Sequence, residues 1–278
     1  MQATHDESLE ELVFRVHDLQ LPAGGTRESF EIEHGLTMVH AGREEGATVL
    51  SMVLAGRMKP EGGDFYLYEA EDATEDPEHA PQRVYHEEKM TPGMLHKRVA
   101  FAGVDFHHQL EREVDLWTVI SEQSSWVSPW WKFGPRSLSA IPGCLQALEV
   151  MGLDWSDDFV RHHRISHLGV VDRVKLGIVL ALIARPNPSL FIFDDIDQLR
   201  SLRARKQVLL ALRRLSREWH GTNDIAEAGL SCIAVTSNSD IDGICDHFIS
   251  VTSDEYDAAH SDESVVTAQI EMNQEAQS

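Results

Sequence analysis

A buried helix followed by a short apolar strand constrains the fold of this chain more than any other feature. Residues 174–184 are apolar almost all round, which is the pattern of a helix covered on every side. A Pro-Asn-Pro turn at 186–188 ends that helix. Residues 190–193 form a continuous apolar run, typical of a parallel strand buried on both faces. The strand ends at Asp194 and Asp195, where open α/β sheets bind their ligands.

A second stretch, nearer the N-terminus, has the pattern of a strand, a loop and a helix. The strand is predicted at 36–39, and the loop at 41–48 reads AGREEGAT. The helix runs from the end of that loop to Gly56, and a turn leads to another strand at 65–68. By contrast, the acidic, proline-containing residues 69–88 predict a solvated loop.

The order and spacing of these two stretches resemble the nucleotide-binding domain of ATP-binding-cassette (ABC) transporters, over about 12–251. The resemblance implies an α/β fold of the P-loop NTPase type, with a mostly parallel sheet flanked by helices, an antiparallel β part and an inserted helical subdomain. It divides the chain into a Walker A-like half (1–104), a helical subdomain (105–164), a signature and Walker B-like half (165–252), and an acidic tail (253–278) that we expect to be disordered.

The chain has 46 acidic and 24 basic residues, a formal net charge of −22. Such a charge argues against binding nucleic acid and against direct lipid binding, because nucleic acid and anionic lipid would both repel the chain. The longest apolar run, 176–184, is far shorter than the roughly 20 residues that span a bilayer. The N-terminus lacks the apolar segment of a signal peptide, and the three cysteines lack disulfide or metal spacing. We therefore expect a cytoplasmic protein, peripheral at the inner face of the membrane through a partner.

The predicted nucleotide-binding loop departs from the phosphate-binding motif GxxxxGK[ST] at the position that matters most. By resemblance, Ala41 stands for the first glycine, Gly42 lies in the loop, Gly46 is the second glycine, Ala47 replaces the lysine and Thr48 is the Mg²⁺-binding hydroxyl. The lysine of this motif neutralises the β- and γ-phosphates. Its absence removes the main cation of the site.

Two acidic residues make the predicted phosphate-binding loop still less favourable for an anionic ligand. Glu44 and Glu45 lie in the same loop, and Arg43 offers compensation only if it folds inward. Each carboxylate at 4–6 Å from a phosphate would cost on the order of 1–4 kcal/mol in a surface environment. We therefore expect no cofactor at high affinity, with ATP and Mg²⁺ binding weakly at most.

The signature motif LSGGQ falls on Leu168, Gly169, Val170, Val171 and Asp172 in this resemblance. Glycine replaces its serine, and two valines replace the glycines that let backbone approach the γ-phosphate. The last position becomes acidic. In ABC dimers, each ATP site combines the phosphate-binding loop of one subunit with the signature motif of the other. The resemblance therefore implies that this chain alters both motifs.

The remaining catalytic positions show the same trend. Asp194 is kept as a Mg²⁺ ligand, whereas Asp195 replaces the catalytic glutamate with a side chain one methylene shorter. Ser237 stands at the position of the switch histidine. The glutamine of the Q-loop falls near Val104, with Gln109 as a less suitable substitute.

Three functions are consistent with this pattern. The residues favour an ABC-type subunit with little or no ATP hydrolysis, a pseudo-ATPase that keeps the fold and the docking surface. The resemblance alone favours a weakly active ATPase subunit within a heteromeric complex, energising transport. A third possibility is an acidic module that binds a basic protein through residues 253–278. The first two imply an integral membrane permease-like partner, and a homo- or heterodimer with another ABC-type subunit.

The helical region holds a cluster of tryptophans with two interpretations. Trp126, Trp130 and Trp131 fill a core, or they form the surface that contacts the permease. Adjacent histidines at 107–108 and 162–163 lack the spacing of a metal site.

Overall fold

The computed structural model describes most of the chain as two sheets with helices around them. The described residues are 12–22, 27–41, 46–72, 83–103, 111–131, 134–222, 229–238 and 243–251, without the side chains of 70–72 and 83–85. The α-helices are α1 (Ala47–Leu54), α2 (Pro92–Arg98), α3 (Leu116–Val127), α4 (Cys144–Val150), α5 (Asp157–His162), α6 (Val170–Ala184) and α7 (Leu202–Glu218). Short 3₁₀ turns lie at Leu138–Ala140, Ile165–His167 and Ile196–Gln198.

A five-stranded parallel sheet forms the centre. Its order is β6 (Val99–Gly103), β7 (Leu190–Asp194), β8 (Cys232–Thr236), β3 (Leu36–Ala41) and β9 (His247–Val251), and every pairing between neighbours is parallel. All residues of β3, β7 and β8 are buried, because helices or a second sheet cover both faces of a parallel sheet. The continuous apolar runs in the sequence therefore predicted β3 and β7 correctly.

The parallel sheet separates two apolar cores. Along β7, Phe191 and Phe193 belong to the core that contains α6 and α7, whereas Leu190 and Ile192 belong to the core that contains α1 and the second sheet. This division follows from the alternation of side chains along a strand. The helix α1 thus lies on one face of the sheet, and α6 lies on the other.

The second sheet is antiparallel, in the order β2 (Glu28–Glu33), β1 (Leu12–Gln20), β4 (Gly62–Asp72) and β5 (Arg83–Met90). The α/β fold with a parallel sheet, an antiparallel part and helices between β6 and β7 agrees with the prediction. Within the described ranges, every helix is too short or too polar to cross a bilayer.

The prediction of a solvated loop at 69–88 was wrong at both ends. Strand β4 continues to Asp72 and pairs with β5 from Arg83 onward, in a register that sets Glu69 opposite His86. Basic residues elsewhere in the chain neutralise these acids: Arg98 forms ion pairs with Glu69 and Glu88. Partners so distant in sequence leave no local signal.

The helices α3, α4 and α5 share their core with the rest of the molecule. Leu116 and Ile120 of α3, and Leu148 of α4, lie in the same apolar core as Phe193 of β7. Helices α3 and α4 both contact α6. A Ser156 side chain caps α5 by accepting the N–H of Phe159. The helical region therefore packs on the sheet through α6.

Candidate functional site

The carboxyl ends of β7, β8 and β3 meet along one edge of the parallel sheet, because these strands are neighbours and run in the same direction. This edge holds Ala41 at the end of β3, Asp194 at the end of β7 and Ser237 just after β8. The sequence placed one functional position at each of these strand ends. The edge is the candidate nucleotide site.

Gly46 begins the helix that follows β3. Its φ of 73° and ψ of 74° lie in the left-handed region, which glycine adopts without strain. The Gly46 carbonyl accepts the N–H of Leu50 at 3.0 Å. Gly42, like Arg43, Glu44 and Glu45, lies outside the described residues.

The first helical residue is Ala47, at the position that the resemblance assigns to lysine. Its methyl group is buried, 9% exposed, and Thr48 beside it is half-buried. The sequence of α1, ATVLSMVL, contains no charged residue. The helix packs on β7 and β8, so its N-terminus faces the candidate site with backbone N–H groups and a hydroxyl, and without a cationic side chain.

Asp194 is buried at 7% exposure and pairs in register with Gly103 of β6. A Cβ atom on Gly103 would lie 2.9 Å from the Cβ of Asp194, closer than two carbon atoms approach without strain. Glycine therefore allows β6 to pass beside this carboxylate. Gly103 was not singled out in the sequence as a functional position.

Asp195 adopts a left-handed conformation, with φ 45° and ψ 70°. This region costs a non-glycine residue on the order of 1 kcal/mol, and aspartate is among the residues that tolerate it best. The Gln198 amide donates a hydrogen bond to Asp195 Oδ2 at 3.1 Å. The carboxylate at the position that the resemblance assigns to the catalytic glutamate is thus hydrogen-bonded within the turn that follows β7.

Asp197, two residues further on, contacts the end of the next strand. Its Oδ2 accepts the Thr236 hydroxyl and the Ser237 N–H, each at 2.6 Å, and the Ser237 hydroxyl at 3.3 Å. The residue at the switch-histidine position is therefore bonded through both its backbone and its side chain. The sequence holds no local signal for this carboxylate, since its partners lie 39 and 40 positions away.

Arg205 of α7 completes this cluster. Its Nη1 lies 3.1 Å from Asp197 Oδ1, and the two side chains are 16% and 9% exposed. Burial opposes ionisation of Asp197, but hydrogen bonds from Thr236, Asn238 and Ser237 together with Arg205 outweigh it and lower the pKa of this carboxyl. Asp197 is therefore a charged group between β7, β8 and α7, with Oδ2 accepting the hydrogen bonds and Oδ1 facing Arg205 as an ion pair.

The signature-like residues begin α6. Leu168 is buried, Gly169 is the N-cap residue, Val170 is 46% exposed, and Val171 and Asp172 are half-buried. Since α6 runs back to the start of β7 through a short turn, its N-terminus opens toward the carboxyl edge of the sheet. It does so on the face opposite α1. One chain therefore presents the two motifs on two different surfaces.

A Cβ atom at Gly169 would meet no other atom within 4 Å. The backbone there, φ −64° and ψ 167°, suits any residue. The structure thus has room for the serine that the signature motif carries at this position.

Several predicted positions remain outside the described residues. These are the Q-loop candidates Val104 and Gln109, the histidines at 107–108 and the tail at 253–278. Of the other histidine pair, the Nδ1 atoms of His162 and His163 contact carbonyl oxygens of Asp158 and Phe159. Among the described residues no group of three or more His, Cys, Asp or Glu side chains could hold a metal ion.

The tryptophans of the helical region divide into packed and exposed groups. Trp117 lies 4.1 Å from the Arg161 guanidinium, and Trp155 stacks on Phe159. The other three are exposed: Trp126 by 82%, Trp130 by 91% and Trp131 by 67%. The interpretation of these three as core residues was wrong.

A parallel sheet with a glycine-started helix and a buried carboxylate at one edge has the arrangement in which open α/β folds bind their ligands. Compared by sequence, the chain matches no protein-family model and no curated protein. Solved structures narrow the class to the fold of ABC ATP-binding cassettes. The match to cbiO1 from Clostridium perfringens, part of the ABC transporter complex cbiONQ, has a TM-score of 0.60 at 16% identity and covers 86% of this chain and 84% of that one.

Two further solved structures have the same fold. The ADP conformation of an ATP-binding cassette of an ABC transporter matches with a TM-score of 0.58 at 13% identity, covering 86% of this chain and 87% of that one. A dimeric, post-hydrolysis cassette bound to ADP and Pi matches with a TM-score of 0.52 at 13% identity, covering 85% and 93%. The P-loop NTPase-like, ABC-type fold predicted from the sequence is confirmed.

Proposed function

We propose that this chain is an ABC-type nucleotide-binding-domain subunit of a membrane transporter complex, with a degenerate ATP site and little or no ATP hydrolysis. One observation carries the proposal: the first residue of α1 is a buried alanine, Ala47, in a helix with no charged residue. A nucleoside triphosphate at this edge would contact backbone N–H groups and Thr48, but no lysine side chain.

The charges around the edge support the same conclusion. Asp194 and Asp195 lie at the end of β7, and Asp197 follows them. The basic residue of this cluster, Arg205, is already paired with Asp197. Losing a cation about 4 Å from a phosphate removes up to about 4 kcal/mol at a surface dielectric, which is nearly a thousandfold in affinity.

The Asp197 cluster supports reduced turnover independently of nucleotide affinity. A residue that senses a γ-phosphate has to be free to reach it. Ser237 instead donates its N–H and its hydroxyl to Asp197. A group already satisfied by a carboxylate gains little from a new acceptor.

A membrane partner follows from the same proposal. ABC-type subunits act on an integral membrane permease-like protein, and the helical region proposed for 105–164 is the part that would contact it. The sequence assigns Trp126, Trp130 and Trp131 to this contact. The protein would lie in the cytoplasm, peripheral to the membrane, and pair with a second ABC-type subunit in a homo- or heterodimer.

The alternative is a weakly active ATPase subunit that depends on an intact partner. By resemblance, Gly46 stands for a phosphate-binding glycine, and Thr48 and Asp194 stand for the two Mg²⁺ ligands. Under this alternative the second subunit supplies the missing charge. The two proposals differ in whether the isolated chain binds Mg²⁺-ATP.

Thermal unfolding with and without Mg²⁺-ATP separates them. A site occupied at about 100 Kd would stabilise the fold by about 2.7 kcal/mol, which is several degrees in Tm for a chain of this size. We expect no shift at millimolar ATP for the wild type. A saturable shift at micromolar ATP would overturn the pseudo-ATPase proposal.

The variant Ala47→Lys tests the residue that carries the proposal, with Ala47→Met as a matched control of similar length and no charge. We expect the lysine variant to gain at least about tenfold in ATP affinity over the methionine variant, because only lysine supplies the cation. Equal affinity of the two variants would show that position 47 does not face the phosphates.

A further inference from the structure

Two arginines and a histidine meet beside the outer strand of the parallel sheet. Arg57 follows the end of α1, Arg185 follows the end of α6, and His96 lies in the last turn of α2. Because α2 leads into the start of β6 and α6 into the start of β7, these residues lie at the amino-terminal end of the sheet. The candidate nucleotide edge is at the opposite end.

A close backbone contact places Arg57 beside α2. Gly56, the residue before it, has φ 64°, and a Cβ atom on Gly56 would lie 2.6 Å from the backbone nitrogen of His96. Glycine therefore allows the end of α1 to approach α2. From the end of α6, Arg185 donates its Nη2 and Nε hydrogens to the His96 carbonyl oxygen at 3.2 and 3.4 Å. Both arginines thus belong to segments that contact the same residue.

Arg57 keeps a positive charge that no acid balances. Its guanidinium lies 4.6 Å from the centroid of the Phe101 ring, a cation–π contact that positions the group without neutralising it. Among the residues that the structure describes, the charged group that acts on Arg57 is a second cation, Arg185. Burial of part of the side chain and repulsion from Arg185 together lower the pKa of Arg57.

Arg185 has a structural role that uses only part of its hydrogen-bonding capacity. It donates to the carbonyl oxygens of His96 and Ala184, near the C-terminal ends of α2 and α6, where cations are favourable. Each terminal nitrogen of a guanidinium carries a second N–H, so Arg185 retains donors for a further acceptor. The capping of helix carbonyls does not account for Arg57, whose guanidinium makes no hydrogen bond within the described ranges.

The local charge is positive although the whole chain has a net charge of −22. Burial, then Arg57 and then Arg185 lower the pKa of His96, and in the described part of the chain no carboxylate opposes them. By contrast, Arg98 in the same turn of α2 is paired with Glu69 and Glu88. Two like charges held close together raise the free energy of the protein, and a bound anion would lower it.

We propose that Arg57 and Arg185, beside His96, form a binding site for a phosphate group. A phosphate carries about 1.5 to 2 negative charges at neutral pH, so it can offset both guanidinium charges, whereas a carboxylate offsets one. The planar N–H fork of arginine also matches the oxygens of phosphate. The side chains of Arg57 and His96 are exposed, so such a ligand reaches them from solvent.

This inference goes beyond the proposed function, because it requires neither a nucleotide at the candidate edge nor a membrane partner. The phosphate group comes either from inorganic phosphate or from a phosphate ester, since the same donors bind both. Titration calorimetry of the full chain at constant ionic strength tests the site. Its probes are inorganic phosphate, methyl phosphate and acetate.

The test variant is Arg57→Gln, and the matched control is Arg203→Gln, which removes an exposed arginine of α7 with the same change in net charge. We expect Arg57→Gln to weaken phosphate binding about tenfold or more, because it removes one of the two cations. Arg203→Gln should leave the affinity within about twofold of the wild type. Thermal melts without phosphate establish that both variants fold, and Arg57→Lys, which keeps the charge and should retain binding, serves as a second variant.

The methyl phosphate titration separates the two sources. Methyl phosphate that binds at least as tightly as inorganic phosphate identifies an ester as the ligand, and weaker binding identifies the free anion; both results support the site. Absence of saturable binding at millimolar phosphate overturns the proposal. Equal losses in Arg57→Gln and Arg203→Gln, or acetate binding as tight as phosphate binding, overturn it as well.

Discussion

Asp197 Oδ2 lies 2.6 Å from the backbone nitrogen of Ser237. This contact joins the turn after β7 to the residue after β8, and Arg205 holds the other carboxylate oxygen from α7. Three segments of the candidate edge therefore depend on a single side chain.

Replacing Asp197 with alanine should destabilise the fold by about 3 kcal/mol, because it removes several hydrogen bonds and leaves the mostly buried Arg205 without its ion-pair partner. Urea unfolding at neutral pH measures the difference. The matched control is Asp158→Ala, since Asp158 is 89% exposed and its loss should change stability by less than about 0.5 kcal/mol. Equal effects of the two substitutions would contradict the role given to Asp197.

The same carboxylate predicts a pH dependence. Since the folded protein lowers the pKa of Asp197, its ionised form stabilises the fold. That contribution is complete above the unfolded pKa of about 3.9 and disappears as pH falls through the lower folded pKa. The stability gap between wild type and Asp197→Asn should therefore be constant above about pH 5 and shrink in more acidic buffer. If the stability difference between the two proteins grows as pH falls, the folded protein does not lower the pKa of Asp197.

Gly103→Ala should destabilise the fold by about 1–3 kcal/mol, since its new Cβ would lie 2.9 Å from the Cβ of Asp194 and 3.3 Å from its carbonyl oxygen. The control is Gly93→Ala in α2, where a Cβ would meet nothing within 4 Å and where alanine favours the helix. Denaturant midpoints compare the two. If both substitutions are neutral, the close approach of β6 to Asp194 is not real.

Gly169→Ser should leave the fold intact and raise Tm by about 1 °C. The space at this position is open, and serine is a better N-cap than glycine by a few tenths of a kcal/mol. We expect no ATPase activity to appear, since Ala47 remains. Calorimetry and a phosphate-release assay on the same preparation measure both outcomes; a loss of more than about 1 kcal/mol would contradict the open geometry.

The sequence predicted the buried elements well and the polar contacts poorly. The apolar runs of β3, β7 and α6 carry their own signal, because a parallel sheet needs residues buried on both faces. Strands β4 and β5 were missed where their acids depend on Arg98, and that partner comes later in the chain. A pattern along the chain does not contain such pairings.

The candidate site divides in the same way. Asp194, Ala47 and Gly169 were assigned through the resemblance to ABC motifs, and the structure puts each at an element end. The cluster of Asp197 with Ser237 could not be predicted, because it depends on which strands are neighbours. The exposure of Trp130 depends likewise on how the helical region packs.

The apolar core that α3 and α4 share with α6 and Phe193 has a mechanical consequence. A close-packed contact of this kind resists shear, so a load applied at Trp126, on the last turn of α3, is carried through α6 into β6, the strand that pairs with Asp194. A partner that pushes on the helical region would thereby strain the candidate edge directly, with or without a bound ligand.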